Sequence, residues 1–264
     1  MTDSISHIMT PDGSIRAVMV DARQTVGGVI QAQSPGNASE ALGELVMGAL
    51  LVQESMAPDQ RLQMTLRLPT GALYADALTQ GRARGWVSTR LSDISGGQLQ
   101  VARVLESGQL HEGTIDAWGS TSEILTNYMM TSEQTTSTVG VSCRVEDDAV
   151  LHARGFMIQL LPDPDPGSLA FVTLSLEQLV INWYDFDDQE LAHAILGPGV
   201  VHLSRSDVSF GCTCSEATVL NALIAAGQDE VADMIAQNKP VEVTCEYCKT
   251  SYEVTVPQLK SLFR

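Results

Sequence analysis

The sequence is poor in positive charge. Of its 264 residues only 15 are lysine or arginine, against 32 aspartate and glutamate, so the formal net charge is −17. Proteins that bind nucleic acid or an anionic membrane surface neutralise phosphate groups with clustered lysine and arginine. The shortage of these side chains therefore predicts a protein whose partners include neither nucleic acid nor a membrane.

Long apolar runs are also missing. The longest, residues 46–52 and 156–162, fall well short of the roughly 20 residues that a membrane-spanning helix needs. Residues 1–10 contain Asp3 and no lysine or arginine, unlike the positively charged start of a secretory signal. We therefore expect a cytoplasmic location. The sequence also lacks a P-loop, a Rossmann glycine motif and a nucleophile-elbow serine, so none of these three motifs indicates an enzyme.

Apolar residues nevertheless make up 44% of the chain, which is enough for a hydrophobic core. Their periodicity predicts an α+β fold, a mainly antiparallel sheet with helices packed on one side. A helix is predicted over residues 39–56 and another from Ser120, which has capping-box spacing with Glu123. Strands are predicted over residues 16–20, 61–68, 72–77, 85–90, 98–105, 135–145 and 155–161.

A proline-rich breaker at residues 162–167 ends this region. Beyond it, Ser175 and Gln178 have capping-box spacing, which predicts a helix from Ser175 through Trp183. A second short helix is predicted over residues 189–196. The last part of the chain forms a separate unit with a helix from Ser215, a second helix over residues 228–237, a hairpin over residues 241–256 and a final helix at Pro257.

Four of the five cysteines fall near the C-terminus, in the pattern Cys212-x-Cys214, 30 residues, Cys245-x-x-Cys248. Four thiolates can complete a tetrahedral shell around Zn²⁺. We therefore predict one zinc ion per chain, bound by these four side chains. Cys143 lies in an apolar strand and is predicted to be a buried core thiol.

The cysteine pattern alone leaves three interpretations open. The site can be a permanent structural zinc site, or a redox switch in which oxidation of the ligands expels the metal. A catalytic zinc fits least well, because four protein ligands leave no open position for water.

Three stretches make the sequence similar to a known family. Residues 210–215 (Phe-Gly-Cys-Thr-Cys-Ser) and 243–248 (Val-Thr-Cys-Glu-Tyr-Cys), with Tyr252, resemble the zinc module of the redox-regulated 33-kilodalton chaperonin family. The Ser-Glu-Gln motif at residues 132–134 and the strand over residues 155–162 match the same family. The chain departs from the family at Arg154, where glycine is commoner, and at Lys249, where a small turn residue is commoner.

The resemblance implies a non-enzymatic, ATP-independent holdase that is monomeric, zinc-bound and inactive when reduced. It implies that oxidants convert the four cysteines into two disulfides, Cys212–Cys214 and Cys245–Cys248, with release of zinc. The active form, which tends to dimerise, then protects unfolding client proteins from aggregation. The implied parts are a client-binding core of residues 1–174, a metastable linker of residues 175–210 and a redox-switch module of residues 211–264.

The linker contains apolar side chains whose role the sequence leaves open. They either become client-binding surface when the linker unfolds or pack permanently onto the core. The linker also holds the acidic run Asp185, Asp187, Asp188 and Glu190, whose mutual repulsion favours unfolding. Two other functions stay open: a zinc-stabilised interaction protein without a switch, and a thiol-disulfide oxidoreductase. The apolar side chains in question are Leu176, Leu179, Val180, Trp183 and Phe186.

Overall fold

The computed structural model describes residues 2–33, 36, 38–56, 60–88, 91, 96–104, 109–179 and 182–263. The chain divides into two compact units, Met1–Gly211 and Cys212–Arg264. Within the described residues, every helix is too short or too polar to cross a bilayer.

The first unit alternates strands and helices. Its strands are β1 (Ser4–Met9), β2 (Ile15–Asp21), β3 (Arg61–Leu68), β4 (Gly71–Leu78), β5 (Arg82–Val87), β6 (Gln98–Val104), β7 (Leu110–Asp116), β8 (Ser137–Glu146), β9 (Ala149–Leu160), β10 (Val201–Asp207) and β11 (Ser209–Phe210). Its helices are α1 (Arg23–Gln33), α2 (Ser39–Gln53), α3 (Thr121–Thr131), α4 (Pro166–Glu177) and α5 (Asp188–Leu196), with a 3₁₀ turn over Trp183–Asp185.

These strands form two sheets rather than one. The first has the order β10-β1-β2-β9-β8 and is antiparallel throughout. The second has the order β11-β5-β4-β3-β6-β7, and only the short pairing of β11 with β5 is parallel. The α+β class and the antiparallel character predicted from the sequence are confirmed.

The main hydrophobic core lies between the two sheets, around α2. This helix is apolar on nearly every side, and Leu45, Leu50 and Leu51 are buried. A helix without a polar face needs partners on both sides, and α2 contacts β3, β4 and β5 of one sheet and β8 and β9 of the other. α3 starts at the predicted capping box, in which the Ser120 side chain accepts from the Glu123 N–H.

The prediction that helices pack on one side of the sheet was wrong. The strands of the first sheet carry apolar side chains on both faces: Val18 and Val20 of β2 point into the main core, while Ala17 and Met19 point the other way. A second core on that other face is closed by α4 and α5. Alternation along a strand places every second residue on each face, so this strand is buried on both.

The prediction of a helix beginning at Ser175 was also wrong. The helix is α4, which starts at Pro166 with the Asp165 side chain accepting from the Ser168 N–H. Proline is favoured in the first turn of a helix, because the N–H that it lacks would have no partner there. The proline-rich stretch that was expected to end a region therefore also starts a helix. Trp183 lies in the 3₁₀ turn instead.

Residues 183–196 pack closely against the rest of the first unit. Trp183 packs edge-on against Phe156 at 4.9 Å between ring centroids. Leu191 and Ile195 of α5 are buried in the second core. Of the apolar side chains singled out above, Leu176, Leu179, Trp183 and Phe186 pack against this core, whereas Val180 lies outside the described residues.

The acidic run in this segment has favourable partners. Asp187 caps α5 and forms a capping box with Glu190. The Asp188 carboxylate lies 2.6 Å from Arg154 Nη2 and accepts from the Ser6 hydroxyl at 2.7 Å. Arg154 also donates to the Phe186 carbonyl. The repulsion expected from the sequence is therefore offset, and Arg154, a departure from the family pattern, is the group that offsets it at Asp188.

β10 differs from this segment, because all seven of its residues are exposed. It is an edge strand and pairs only with β1, from Ser4 opposite Asp207 to Met9 opposite Val201, with an irregularity between His7 and Ile8. Its attachment therefore depends mainly on backbone hydrogen bonds.

The second unit is small. It contains α6 (Glu216–Ala226), α7 (Gln228–Ala236), the hairpin β12 (Val241–Thr244) and β13 (Ser251–Val254), and α8 (Val256–Ser261). This order of elements agrees with the sequence prediction. Its described core holds few buried side chains, namely Val219, Leu223, Val231, Val254 and Leu259.

We predict that the pair Arg154–Asp188 stabilises the first unit. The two side chains are only 12% and 13% exposed, so removing Arg154 leaves the nearly buried Asp188 charge without its ion pair, and removing the Asp188 charge leaves Arg154 only the more distant Asp21, at 3.8 Å. Arg154→Gln and Asp188→Asn should each cost about 3 kcal/mol of unfolding free energy, and the double variant should cost clearly less than their sum. Urea unfolding measures this.

The exposed pair Arg144–Glu146 provides the control, and Arg144→Gln should cost at most about 1 kcal/mol. Strictly additive effects of the Arg154 and Asp188 substitutions would show that the two charges are not coupled.

Candidate metal centre

The four C-terminal cysteines come together in the second unit. Their sulfur atoms all lie within 4.8 Å of one another, and none of them is in a disulfide. The sulfurs of Cys212 and Cys245 are 3.7 Å apart, and those of Cys214 and Cys248 are 3.4 Å apart. Each close approach therefore joins one cysteine of the first pair to one of the second.

Local structure positions each pair. Cys212 and Cys214 lie just before α6, whose N-cap Ser215 accepts a hydrogen bond from the Thr218 N–H. The N-terminal end of a helix carries partial positive charge, which favours a thiolate beside it. The second pair occupies the turn between β12 and β13. There the Cys245 N–H donates to the Thr250 carbonyl at 2.9 Å, and the Lys249 N–H donates to the Cys245 carbonyl at 2.8 Å.

This arrangement has the dimensions of a tetrahedral thiolate site. Zn–S bonds of about 2.3 Å place the sulfurs of such a site about 3.8 Å apart. The two close sulfur distances of 3.7 and 3.4 Å are near this value. Four cysteine sulfurs are soft donors of the kind that structural zinc sites use. Among the described residues, this is the one cluster of three or more such side chains that can hold a metal ion.

The sulfurs do not ionise independently. Burial raises the pKa of Cys214 to about 12, and it also raises the pKa of Cys245. Burial opposes ionisation of Cys248 as well, but its hydrogen bonds with Thr250 and with the neighbouring thiols outweigh it and lower that pKa to about 6. Without a cation, therefore, ionisation concentrates on one sulfur of the cluster.

Two further side chains contact the sulfurs. The Tyr252 hydroxyl donates to Cys214 Sγ at 3.1 Å, and this bond raises the pKa of the tyrosine to about 12. Thr250 Oγ1 lies 3.3 Å from Cys248 Sγ. Tyr252 was noted only as part of the family resemblance, and Thr250 was not singled out from the sequence. Both residues lie within four positions of Cys248, so their closeness in sequence to a predicted metal ligand could have identified them.

Lys249 takes a backbone conformation that suits glycine. Its φ is +57°, in the left-handed region that a side chain with a Cβ disfavours. Its ammonium group pairs with Glu246 at 2.6 Å, in an exposed position where such pairs contribute little. Glycine, which has no Cβ, would take this conformation at lower cost than lysine.

The other residues noted in the sequence have structural roles. Cys143 is buried in the main core, as predicted, and burial raises the pKa of its thiol to about 12. In the Ser-Glu-Gln motif, Glu133 accepts from the Tyr128 hydroxyl and pairs with Arg103, tying α3 to β6.

Comparisons with known proteins agree with this architecture. The family model described as Hsp33 protein matches residues 3–255. The 33 kDa chaperonin of Shouchella clausii is 30% identical, over 99% of this chain and 97% of the relative. That of Syntrophotalea carbinolica is 29% identical, over 99% of each chain.

The crystal structure of a 33 kDa chaperonin from Thermotoga maritima superposes with a TM-score of 0.87 at 21% identity, covering 99% of this chain and 98% of that one, which shows a shared fold. The family match and the names of these relatives place the chain among the chaperones. The chain belongs to the Hsp33 family.

We predict that Tyr252→Phe weakens zinc binding. The substitution removes only the hydroxyl that donates to Cys214, and loss of such a supporting contact typically lowers metal affinity about 10- to 100-fold. Competition with a zinc-chelating dye measures the affinity. Tyr74→Phe, in β4 of the first unit, keeps the ring that stacks on Trp86 and serves as the comparison variant, and it should change the affinity much less. Equal affinity of Tyr252→Phe and the original chain would contradict the role given to this hydroxyl.

We predict the opposite effect for Lys249→Gly. Relief of the left-handed backbone should favour the metal-binding turn by up to about 1 kcal/mol, which corresponds to about five-fold tighter zinc binding. The same dye competition applies. Lys249→Ala keeps the Cβ and loses the pair with Glu246, so it should show no gain, and a gain in the alanine variant would assign the effect to charge instead.

Proposed function

We propose that this protein is a redox-regulated, ATP-independent holdase, with residues 1–174 as client-binding core, 175–210 as linker and 211–264 as switch module. The observation that carries the proposal is the group of four unbonded cysteine sulfurs within 4.8 Å in a unit with few buried side chains. The Hsp33 family membership supports the same function.

In the reduced state Cys212, Cys214, Cys245 and Cys248 would hold one zinc ion. Bound zinc would cross-link the start of α6 to the β12–β13 turn and neutralise the thiolates. Structural zinc contributes on the order of 10–16 kcal/mol in small modules, as much as the whole stability of a typical domain. The few buried side chains of this unit cannot replace such a contribution.

Oxidation would reverse this state. Each pair of thiolates gives two electrons to a peroxide, which takes up protons and leaves as water, and one sulfur–sulfur bond forms. We propose the pairs Cys212–Cys214 and Cys245–Cys248, because each is local in sequence and remains able to form once the unit opens. Disulfide sulfurs are poor zinc ligands, so the metal is released and the unit unfolds.

The linker would transmit this change. It runs from the last turn of α4 to Phe210, and its second half contains the exposed strand β10 followed by β11, which pairs with β5. Unfolding of the switch module would loosen the linker. Its apolar side chains Leu176, Leu179, Trp183 and Phe186 would then bind unfolding clients and favour a homodimer of the oxidised form, whereas the reduced form stays monomeric.

The test is to add hydrogen peroxide to reduced, zinc-loaded protein at mild heat. We expect about one zinc per chain to be released to a dye, and suppression of client aggregation, followed by light scattering, only after that release. Cys143→Ala is the matched control, since this thiol lies outside the cluster and should leave both signals unchanged.

Zinc that stays bound, or leaves without any suppression of aggregation, would contradict the switch and favour a zinc-stabilised interaction protein. Catalytic turnover of a disulfide substrate would instead indicate an oxidoreductase.

A further inference from the structure

The edge of β1 on which β10 lies is a place where another extended chain can pair. β1 donates and accepts backbone hydrogen bonds on both sides, to β2 and to β10. Ile5 and Ile8 of β1 are fully buried on opposite faces of the sheet, so this strand remains in place when β10 leaves. Loss of β10 therefore exposes an intact strand edge rather than an unfolded segment.

β10 itself is held to the first unit mainly by its backbone. Each of its residues is exposed, so few of its side-chain contacts are lost when it leaves β1. α5 is different, because Leu191 and Ile195 are buried and Asp188 is paired with Arg154. Between β10 and Cys212, Val208 is buried in the main core and β11 pairs with β5, so β10 leaves β1 from this side only when these contacts open as well.

We propose that the edge of β1, once vacated by β10, binds an extended segment of an unfolded client by strand addition. This inference rests on the proposed function for the event that releases β10. Strand addition uses main-chain hydrogen bonds that every sequence offers, which suits a protein that must bind many unfolded chains. The site fits a segment of about six residues, since six residues of β1 pair with β10.

The charge around this edge favours a particular class of segment. A cleft of about 750 Å³ runs beside β1 and β10. Its lining holds four aspartates against two arginines, Arg154 and Arg205, and Arg154 is already engaged by Asp188 and Asp21, so the cleft is acidic overall. Arg205, opposite Ser6, is the β10 side chain that brings positive charge to this cleft. A client segment that carries lysine or arginine at the corresponding position should therefore bind better than an acidic one.

The first experiment uses a fluorescent peptide with the sequence of residues 201–207, added to the full-length protein. We expect it to bind the oxidised protein at least ten-fold more tightly than the reduced one, measured by anisotropy. Two versions carry N-methyl groups on alternate amides, in the two possible phases. Only alternate amides of a strand face its partner, so one phase should abolish binding and the other should not.

The second experiment opens the edge without oxidation. In the variant Arg205→Pro/Ser206→Pro, at least one lost N–H faces β1, because adjacent residues point to opposite sides. The reduced, zinc-bound variant should bind a peptide with the sequence of residues 201–207 and show faster hydrogen exchange in β1. Arg205→Ala/Ser206→Ala keeps both N–H groups and loses only side-chain contacts, the Arg205 charge among them, so it should bind the peptide far less than the proline variant.

The outcomes separate the two proposals. If the oxidised protein suppresses aggregation but binds the peptide no better than the reduced protein, strand addition is wrong and the holdase proposal stands. If peroxide releases no zinc, the holdase proposal fails, and the proline variant alone tests strand addition at β1. Peptide binding to this variant that depends on the methylation phase supports strand addition. Equal peptide binding by the proline and alanine variants overturns it.

Discussion

Mutual repulsion of sulfur charges is the constraint on which the C-terminal unit depends. Two unit charges 4 Å apart repel by about 4 kcal/mol at an effective dielectric constant of 20. Four thiolates within 4.8 Å therefore need a cation, or they must stay largely protonated. A bound cation would hold the start of α6 to the β12–β13 turn through the sulfurs, because the unit has few buried apolar side chains to do so.

The first unit has no such dependence. Its cores lie on both faces of one sheet, and α2 fills the space between the sheets. The segment before the cysteines combines two kinds of attachment: α5 is fixed by buried leucine and isoleucine and by the Arg154–Asp188 pair, and β10 is fixed by its backbone. A disturbance that starts at Cys212 first meets β11, which pairs with β5, and the buried Val208, and it reaches β10 only beyond them.

Much of the fold followed from local signals. The capping box at Ser120, the period-2 strand Arg61–Leu68 and the α6 start at Ser215 were predicted correctly, because each depends on neighbouring residues. β1, β7, β10 and α1 were missed, since their sequences carry weak periodicity and their pairing partners lie far along the chain. Ser175 was misread because its capping spacing occurs by chance inside α4.

The possible metal ligands could be predicted from residue type and spacing, because four cysteines in two close pairs form a donor set that suits zinc. The surroundings of these side chains depend on contacts between distant parts of the chain. Only folding brings Arg154 to Asp188 across 34 positions, and only sheet order makes β10 an exposed edge strand. Residue type identifies the possible metal ligands, whereas how strongly a segment is held to the rest of the fold depends on burial and on partners distant in sequence.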